Sequence, residues 1–260
     1  MIEALFGLNT GGGAQEPAFN AYRLLQSGRE RYDQRFDQLP QTSRSREHFE
    51  ENIRNIKDVD SLLQDRQLLE FTLSAFQLDD QINAVGLIER VITEPPDDPA
   101  STANRLADPR FRQLADAIQP LVDNPEHLAT EGVAEAIITG WELNEFEKWQ
   151  GERNPALREA LFFERSIGEI ENNWQIIGNR TLQKVVQVGL GLPQEFGALE
   201  PDQQKARLDE LFNPEDMQDP KELKKFIDRF LINSDLQNPA SGAQTQELAL
   251  LNAGGFNVIA

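Results

Sequence analysis

Chemistry would first be sought at His48 and His127, the only two histidines among 260 residues. They lie in unrelated segments, without the His-Glu-x-x-His spacing or paired carboxylates that would let them hold a metal, so surface or helix-end positions are expected. With 44 Asp and Glu residues in the chain, neighbouring acids such as Asp79-Asp80 and Asp97-Asp98 carry little information. A pair of acids works as acid and base only at a defined separation across a cleft, and solvated faces or helix caps are the simpler reading. Gly189-Leu190-Gly191 opens like a dinucleotide loop, yet it ends a helical pattern instead of following a strand and lacks the third glycine. Gly11-Gly12-Gly13 has no Lys-Ser/Thr partner and reads as a linker. There is no cysteine, which excludes disulfides, thiolate nucleophiles and cysteine-held metals. The chain reads as non-enzymatic, with no cofactor and no metal.

The elements that would position any site are organised by an internal repeat. Displaced by 114 residues without a gap, Phe49-Glu50 falls on Phe163-Glu164. Ile53, Ile56, Arg66, Leu68 and Leu78 then fall on Ile167, Ile170, Arg180, Leu182 and Leu192, while Asp65 meets Asn179 and Ala75 meets Gly189. Mostly apolar identities at helical spacing indicate a duplication. Arg66 and Arg180 are the one identical basic position in both copies. An internal ion pair, with Asp60 or Asp65 in one copy and Glu171 in the other, is favoured there over contact with a partner.

Before the first copy, Tyr22, Leu25, Arg29, Tyr32 and Phe36 predict a helix over about Phe19–Gln38, broken by Pro40 and Gln41-Thr42-Ser43. In the copy itself, Phe49, Ile53 and Ile56 share one short helix. A second helix, capped by Asp58 or Asp60, carries Leu62, Leu63, Leu69, Leu73 and Phe76, and a third spans Asp80–Thr93. Asp98-Pro99, Asn124-Pro125, Asn154-Pro155 and Asp219-Pro220 each place a capping acceptor before a proline suited to the first helical position, and predict four helix starts. The second central helix is predicted over Trp174–Leu190, stopped by Gly191 and Pro193. Trp141, Trp149 and Trp174 are assigned to the core. No strand alternation is present, so the fold class is all-α: a multi-helix bundle of two duplicated halves, with flexible N- and C-terminal arms. The expected divisions are an arm at 1–18, helical halves at 19–122 and 123–236, and a tail at 237–260.

The formal net charge of −19 favours solubility and argues against nucleic acid or an anionic membrane surface as partner, since both need clustered Lys and Arg. No apolar run of about 20 residues exists, so no membrane insertion is expected. The start, Met1-Ile2-Glu3-Ala4-Leu5-Phe6, lacks the basic region of a secretory signal. Candidate assembly residues are Leu5, Phe6 and Leu8 at one end and Leu248, Leu250, Leu251, Phe256 and Ile259 at the other, together with Arg66 and Arg180. Flexible segments with spaced apolar residues fold on binding in many systems.

Several segments resemble a known family. They are Ser61-Leu62-Leu63-Gln64-Asp65-Arg66, Leu73-Ser74-Ala75-Phe76-Gln77-Leu78-Asp79-Asp80, and the stretch from Asp98-Pro99 through Thr102-Ala103-Asn104-Arg105-Leu106 to Asp108-Pro109-Arg110-Phe111. Ala160-Leu161-Phe162-Phe163-Glu164-Arg165, Leu190-Gly191-Leu192-Pro193 and Asp219-Pro220 through Arg229-Phe230 follow in the same order. Together they are similar to the twelve-seventeen family, a domain of unknown function of alphaproteobacteria, over about residues 20–236. The chain departs from the family pattern after Phe111 and at residue 77, where Gln stands in place of the usual glycine. The resemblance implies association with the bacterial flagellum and brings no reaction and no catalytic residues. The expectation is a non-enzymatic structural or assembly protein, flagellar or exported, whose partners are other flagellar proteins or a second copy. The alternative is a cytoplasmic chaperone or adaptor for a flagellar export substrate. A carboxylate hydrolase or lyase ranks last.

Overall fold

The computed structural model describes residues 16–238. Within them the protein is all-α, with no strand. α1 (Ala18–Ser27) and α2 (Arg29–Asp37) precede the first copy of the repeat, which comprises α3 (Pro40–Asn52), α4 (Val59–Gln64) and α5 (Arg66–Ala75). α6 (Val85–Thr93), α7 (Thr102–Arg105) and α8 (Pro109–Ile118) lead to the long α9 (Glu131–Gly151). The second copy is α10 (Pro155–Ser166), α11 (Asn173–Gly178) and α12 (Arg180–Gly189), followed by α13 (Pro201–Leu211) and α14 (Pro220–Gln237).

The duplication is written into the backbone. From Asn52 onward, a displacement of 114 residues carries every helix boundary of the first copy onto the second, including the 3-10 turns Ile53–Asn55 and Ile167–Glu169. Equivalent residues make equivalent caps. Asp58 accepts from Ser61 N, and Asn172 from Trp174 N and Gln175 N. Asp65 accepts from Gln67 N and Leu68 N, and Asn179 from Thr181 N and Leu182 N. These side chains satisfy amides that the first helical turn leaves without partners. The exits match as well. Leu78 N donates to Leu73 O at 2.8 Å and Leu192 N to Gln187 O at 2.9 Å, each closing a C-terminal cap around a left-handed residue: Gln77 at φ 59° and Gly191 at φ 69°.

Two apolar cores result. One gathers residues from Phe49 to Trp141; the other gathers α1 and α2 with residues from Phe146 to Leu231. α9 serves both, with Ile137 and Trp141 in the first core and Phe146 in the second. At 1.5 Å rise per residue its 21 residues span about 32 Å, enough to reach across both. The sequence placed the division at 122/123 and residues 19–38 in the first half. In the structure the division falls inside α9, and α1 buries Ala18, Ala21, Tyr22 and Leu25 in the second core. Glu16–Ala18, expected within the N-terminal arm, are held. Asp235 on α14 accepts from Ala18 N at 2.7 Å and Phe19 N at 3.1 Å, supplying the cap that Pro17 cannot. Arg153 and Asn154 meanwhile donate to Glu16.

Other expectations shift for local reasons. The first helix divides at Gly28. Pro40, read as a breaker, occupies the first turn of α3, where its missing amide hydrogen is no loss. The helix expected over Asp80–Thr93 is a 3-10 turn at Asp79–Gln81 followed by α6. Of the four Asp/Asn-Pro pairs, Asn154-Pro155 and Asp219-Pro220 start α10 and α14. Asp98 and Asn124 instead close turns onto Ala100 N and Glu126 N. The helix expected from Pro125 begins at Glu131, and that expected over Trp174–Leu190 is α11 and α12, divided by the capping Asn179. No described helix is long and apolar enough to cross a membrane.

Candidate functional site

The polar residues that sequence patterns did not nominate converge along α9. Gly140 lets α9 approach α5: a Cβ there would lie 2.7 Å from Ala75 O. One turn further, Asn144 Nδ2 donates to Ser74 O, Ser74 Oγ and Asp79 Oδ2 at 2.9–3.0 Å. Lys148 Nζ then lies 2.5 Å from both Asp79 Oδ1 and Glu145 Oε1, and 3.3 Å from Ser74 Oγ. A serine beside a lysine suggests a nucleophile and its base, but a base must be neutral. Burial alone would lower the Lys148 pKa; the hydrogen bonds it donates to Asp79 and Glu145 outweigh this and push the pKa up. Burial likewise opposes ionisation of Asp79, and the bonds from Lys148 and Asn144 outweigh it to hold the carboxyl below its ordinary range. Lys148 is therefore a protonated strut, and the Ser74 hydroxyl donates to Glu145 Oε1 at 2.9 Å.

On the other side of α9, Glu147 is almost fully buried and takes two bonds from Arg165 of α10, at 2.8 and 3.0 Å. Desolvation nonetheless pushes its carboxyl pKa up. Arg165 also faces Gln77, whose amide oxygen accepts from the guanidinium when the amide is turned to satisfy both groups. Arg110 of α8, clamped to Asp108, donates to Gln77 O at 2.5 Å. Gln77 thus sits on the seam between the two cores, gripped by Arg110 of α8 and by Arg165 of the second copy.

These groups line a chain of clefts. A pocket of about 220 Å³ between α3, α5 and α9 includes His48, Glu70, Phe71 and Trp141. It shares Ser45, Trp141, Glu145 and Lys148 with a neighbour of about 150 Å³ that adds Trp149 and Glu152. Lys148 and Glu152 also line a cleft of about 480 Å³ with Arg110, Arg158, Glu159, Phe162 and Thr181. His48, Ser45 and Gln67 of the first cleft are the repeat equivalents of Phe162, Glu159 and Thr181 of the last. The two clefts meet at Lys148 and correspond through the repeat at these three positions.

The nominated residues are elsewhere. Arg66 opens α5 and reaches only Asn83 Oδ1, at 3.4 Å. Arg180 opens α12 and is exposed. Neither forms the expected ion pair with Asp60, Asp65 or Glu171, because each side chain leaves the first helical turn towards solvent. Leu5, Phe6, Leu8, Leu248, Leu250, Leu251, Phe256 and Ile259 lie outside the described residues. Trp141 is core, Trp149 is partly buried, and Trp174 is 40% exposed with Lys205 over its ring. His127 Nε2 meets Ala117 O at 2.7 Å, and His48 Nδ1 faces Asn52 Nδ2. The seam had one legible signal: the repeat aligns Gln77 with Gly191 just past a helix end.

The profile of a family described as a protein of unknown function (DUF1217) matches residues 75–223. The X-ray crystal structure of a structural-genomics protein from Agrobacterium tumefaciens is similar at a TM-score of 0.75 and 27% sequence identity. The similarity covers 88% of this chain and 99% of that one. No curated protein matches the chain.

Proposed function

The chain belongs to the DUF1217 family of proteins of unknown function, and from that premise we propose that it is a non-enzymatic structural or assembly protein of the bacterial flagellum, acting through protein–protein contacts. The observation that carries the non-enzymatic reading is the state of the polar groups along α9. Lys148 is held protonated between Asp79 and Glu145, and Glu147 is closed onto Arg165. A general acid or base needs a proton it can exchange near neutral pH at an accessible atom; Lys148 is held charged by two carboxylates, and the Glu147 carboxyl, though its pKa is raised, is almost fully buried against Arg165. The flagellar part rests on the family resemblance of the motifs around Asp65-Arg66, Asp108-Pro109 and Asp219-Pro220. A cytoplasmic chaperone or adaptor for a flagellar export substrate is the second reading, favoured by the open line of clefts on α9.

Fractionation of native cells into cytoplasm, culture supernatant and sheared or detergent-extracted flagella tests the proposal. Protein in the flagellar fraction, lost when flagellar export is blocked, is the expected result. Confinement to the cytoplasm in a stable complex with one export substrate would move the chaperone or adaptor to first place. Absence from both would sink the flagellar reading.

A further inference from the structure

Charge is divided unevenly over this fold. Residues 16–57 carry eight Lys and Arg against seven Asp and Glu, whereas residues 58–238 carry seventeen against thirty-five. Several cations of the first segment share one outward face. α1 contains no carboxylate and exposes Arg23 and Leu24, the leucine 53% open to solvent. On α2, Arg31 and Arg35 stand four apart on the exposed side, and Glu30, Asp33 and Asp37 lie at least about 100° round the helix from Arg31. The Arg31 guanidinium covers Gly28, where an added Cβ would come within 2.8 Å of it, and so carries the face across the junction of the two helices. Arg29 and Arg46 take up Asp33 and Asp37, while Arg23, Arg31 and Arg35 enter no ion pair among the described residues. The opposite surface stands before and at the start of α9. Val122, 48% exposed, closes the 3-10 turn Gln119–Val122 and is followed by exposed Asp123. That turn packs on the turn His127–Ala129, which packs on α9, whose first two turns expose Glu131 and Glu135. Lys57 there is taken up by Glu126 at 2.7 Å, and Asp123, Glu131 and Glu135 enter no ion pair among the described residues. α2 meets α9 at Phe146 and Trp149, about 22 Å along the helix from Glu131, so the two surfaces do not meet within one molecule.

We propose that the arginine face of α1 and α2 on one copy docks on the acidic start of α9 on a second copy. Each surface sets one exposed apolar residue, Leu24 or Val122, among charges of a single sign, so docking buries the apolar pair and matches the charges. The net charge of −19 makes a second copy attractive to this face alone, because the rest of the surface repels it. The contact joins two different patches of the same chain and is therefore heterologous. A copy docked through one patch still presents the other, and copies add head to tail. This inference rests on the reading of the protein as one that works through protein contacts and on no flagellar premise.

Sedimentation velocity of the full-length protein at rising concentration, in about 0.01 M and about 1 M salt, tests it; the Debye length falls from about 30 Å to about 3 Å between the two. Species larger than the monomer that grow with concentration are expected at low salt, with association weakened at least about tenfold at high salt. Arg31→Glu with Arg35→Glu, and separately Glu131→Lys with Glu135→Lys, each reverse one surface at exposed positions. Each double variant should be monomeric, with a thermal midpoint close to that of the wild type. An equal mixture of the two sets every reversed surface against its complement and should regain the assembly. A wild type that stays monomeric at low salt, a mixture that stays monomeric while the wild type assembles, or assembly untouched by either reversal would overturn the inference. So would capture of duplex DNA at Arg31 and Arg35 in place of a second copy. The fractionation above separates the two proposals: protein found in flagella that stays monomeric when purified fails here alone, and protein that assembles but never joins flagella fails only the flagellar reading.

Discussion

At the end of α5 and at the end of α12 the backbone makes the same left-handed turn on different residues. Gly191 stands in the open, where an added Cβ would meet nothing within 4 Å. Gln77 adopts the same geometry with a full side chain, at a steric disadvantage of about 1–2 kcal/mol for a residue with a Cβ. It is held by Arg110 on its carbonyl and Arg165 on its amide. The turn is present in both copies, and the copy whose turn faces the seam carries glutamine where the other carries glycine. Strain is accepted at one of two equivalent places, beside groups that hold it there.

The comparison can be broken most forcefully at the cores. Phe49 and Phe163 are equivalent and fully buried, so Phe49→Ala and Phe163→Ala should each cost about 3–5 kcal/mol. Because α9 belongs to both cores, urea unfolding followed by circular dichroism and tryptophan fluorescence should stay a single transition in both variants. Two separated transitions in either variant would show the halves to be independent.

Next come the two flanks of α9, whose carboxylates respond to pH with opposite signs. Asp79→Asn should cost about 1.5–3 kcal/mol at pH 7, as a charge-assisted contact with Lys148 is lost. The folded pKa of Asp79 is lowered, so its contribution is present above the ordinary value of about 3.9 and disappears as pH falls through the folded value. Glu147 is raised by desolvation; its contribution is complete below about pH 4.3 and is lost as pH rises through the folded value. Glu147→Gln should therefore gain on the wild type as pH climbs from 4 to 7, whereas Asp79→Asn should gain on it as pH falls below about 4. Urea midpoints measured from pH 2 to 7 check both slopes; parallel curves in either window would refute the assignment.

Smaller effects are expected at the paired turns. Gly191→Ala meets no obstacle and should cost only the backbone preference, about 1 kcal/mol. Gln77→Gly relieves the same preference but gives up the amide contact with Arg165, so its net change should fall within about 0.5 kcal/mol. Thermal midpoints of the two variants measure the asymmetry directly. Smallest of all, Arg66→Ala and Arg180→Ala should each change unfolding stability by less than about 0.5 kcal/mol, because neither joins an ion pair among the described residues.

The repeat made much of this legible from residues alone. Phe49 with Phe163, Asp65 with Asn179 and the terminating Gly191 mark the duplicated helices in the sequence itself, because burial and capping are short-range demands on residue type. What stayed hidden depends on contacts between distant segments. Nothing in the spacing of Tyr22 and Leu25 says that α1 packs in the second core, since an apolar stripe does not name its partner. Pro125 and Pro99 carried a capping pattern that turns share with helices. The clefts along α9 escaped notice because Ser45, Glu70, Glu145 and Lys148 become neighbours only when α3, α5 and α9 meet.

The cap that Asp235 places on α1 has a consequence for how the protein comes into being. Residues 18 and 235 are separated by 217 positions, so the first helix of the body has its amides satisfied only after nearly the last has been made. At a synthesis rate of about 5–20 residues per second, α1 waits about 10–40 s for its partner on the ribosome. Throughout that interval Ala18, Tyr22 and Leu25 have no finished core to enter. A nascent chain is therefore without its native fold until α14 emerges, and folding closes the body by joining α1 to α14.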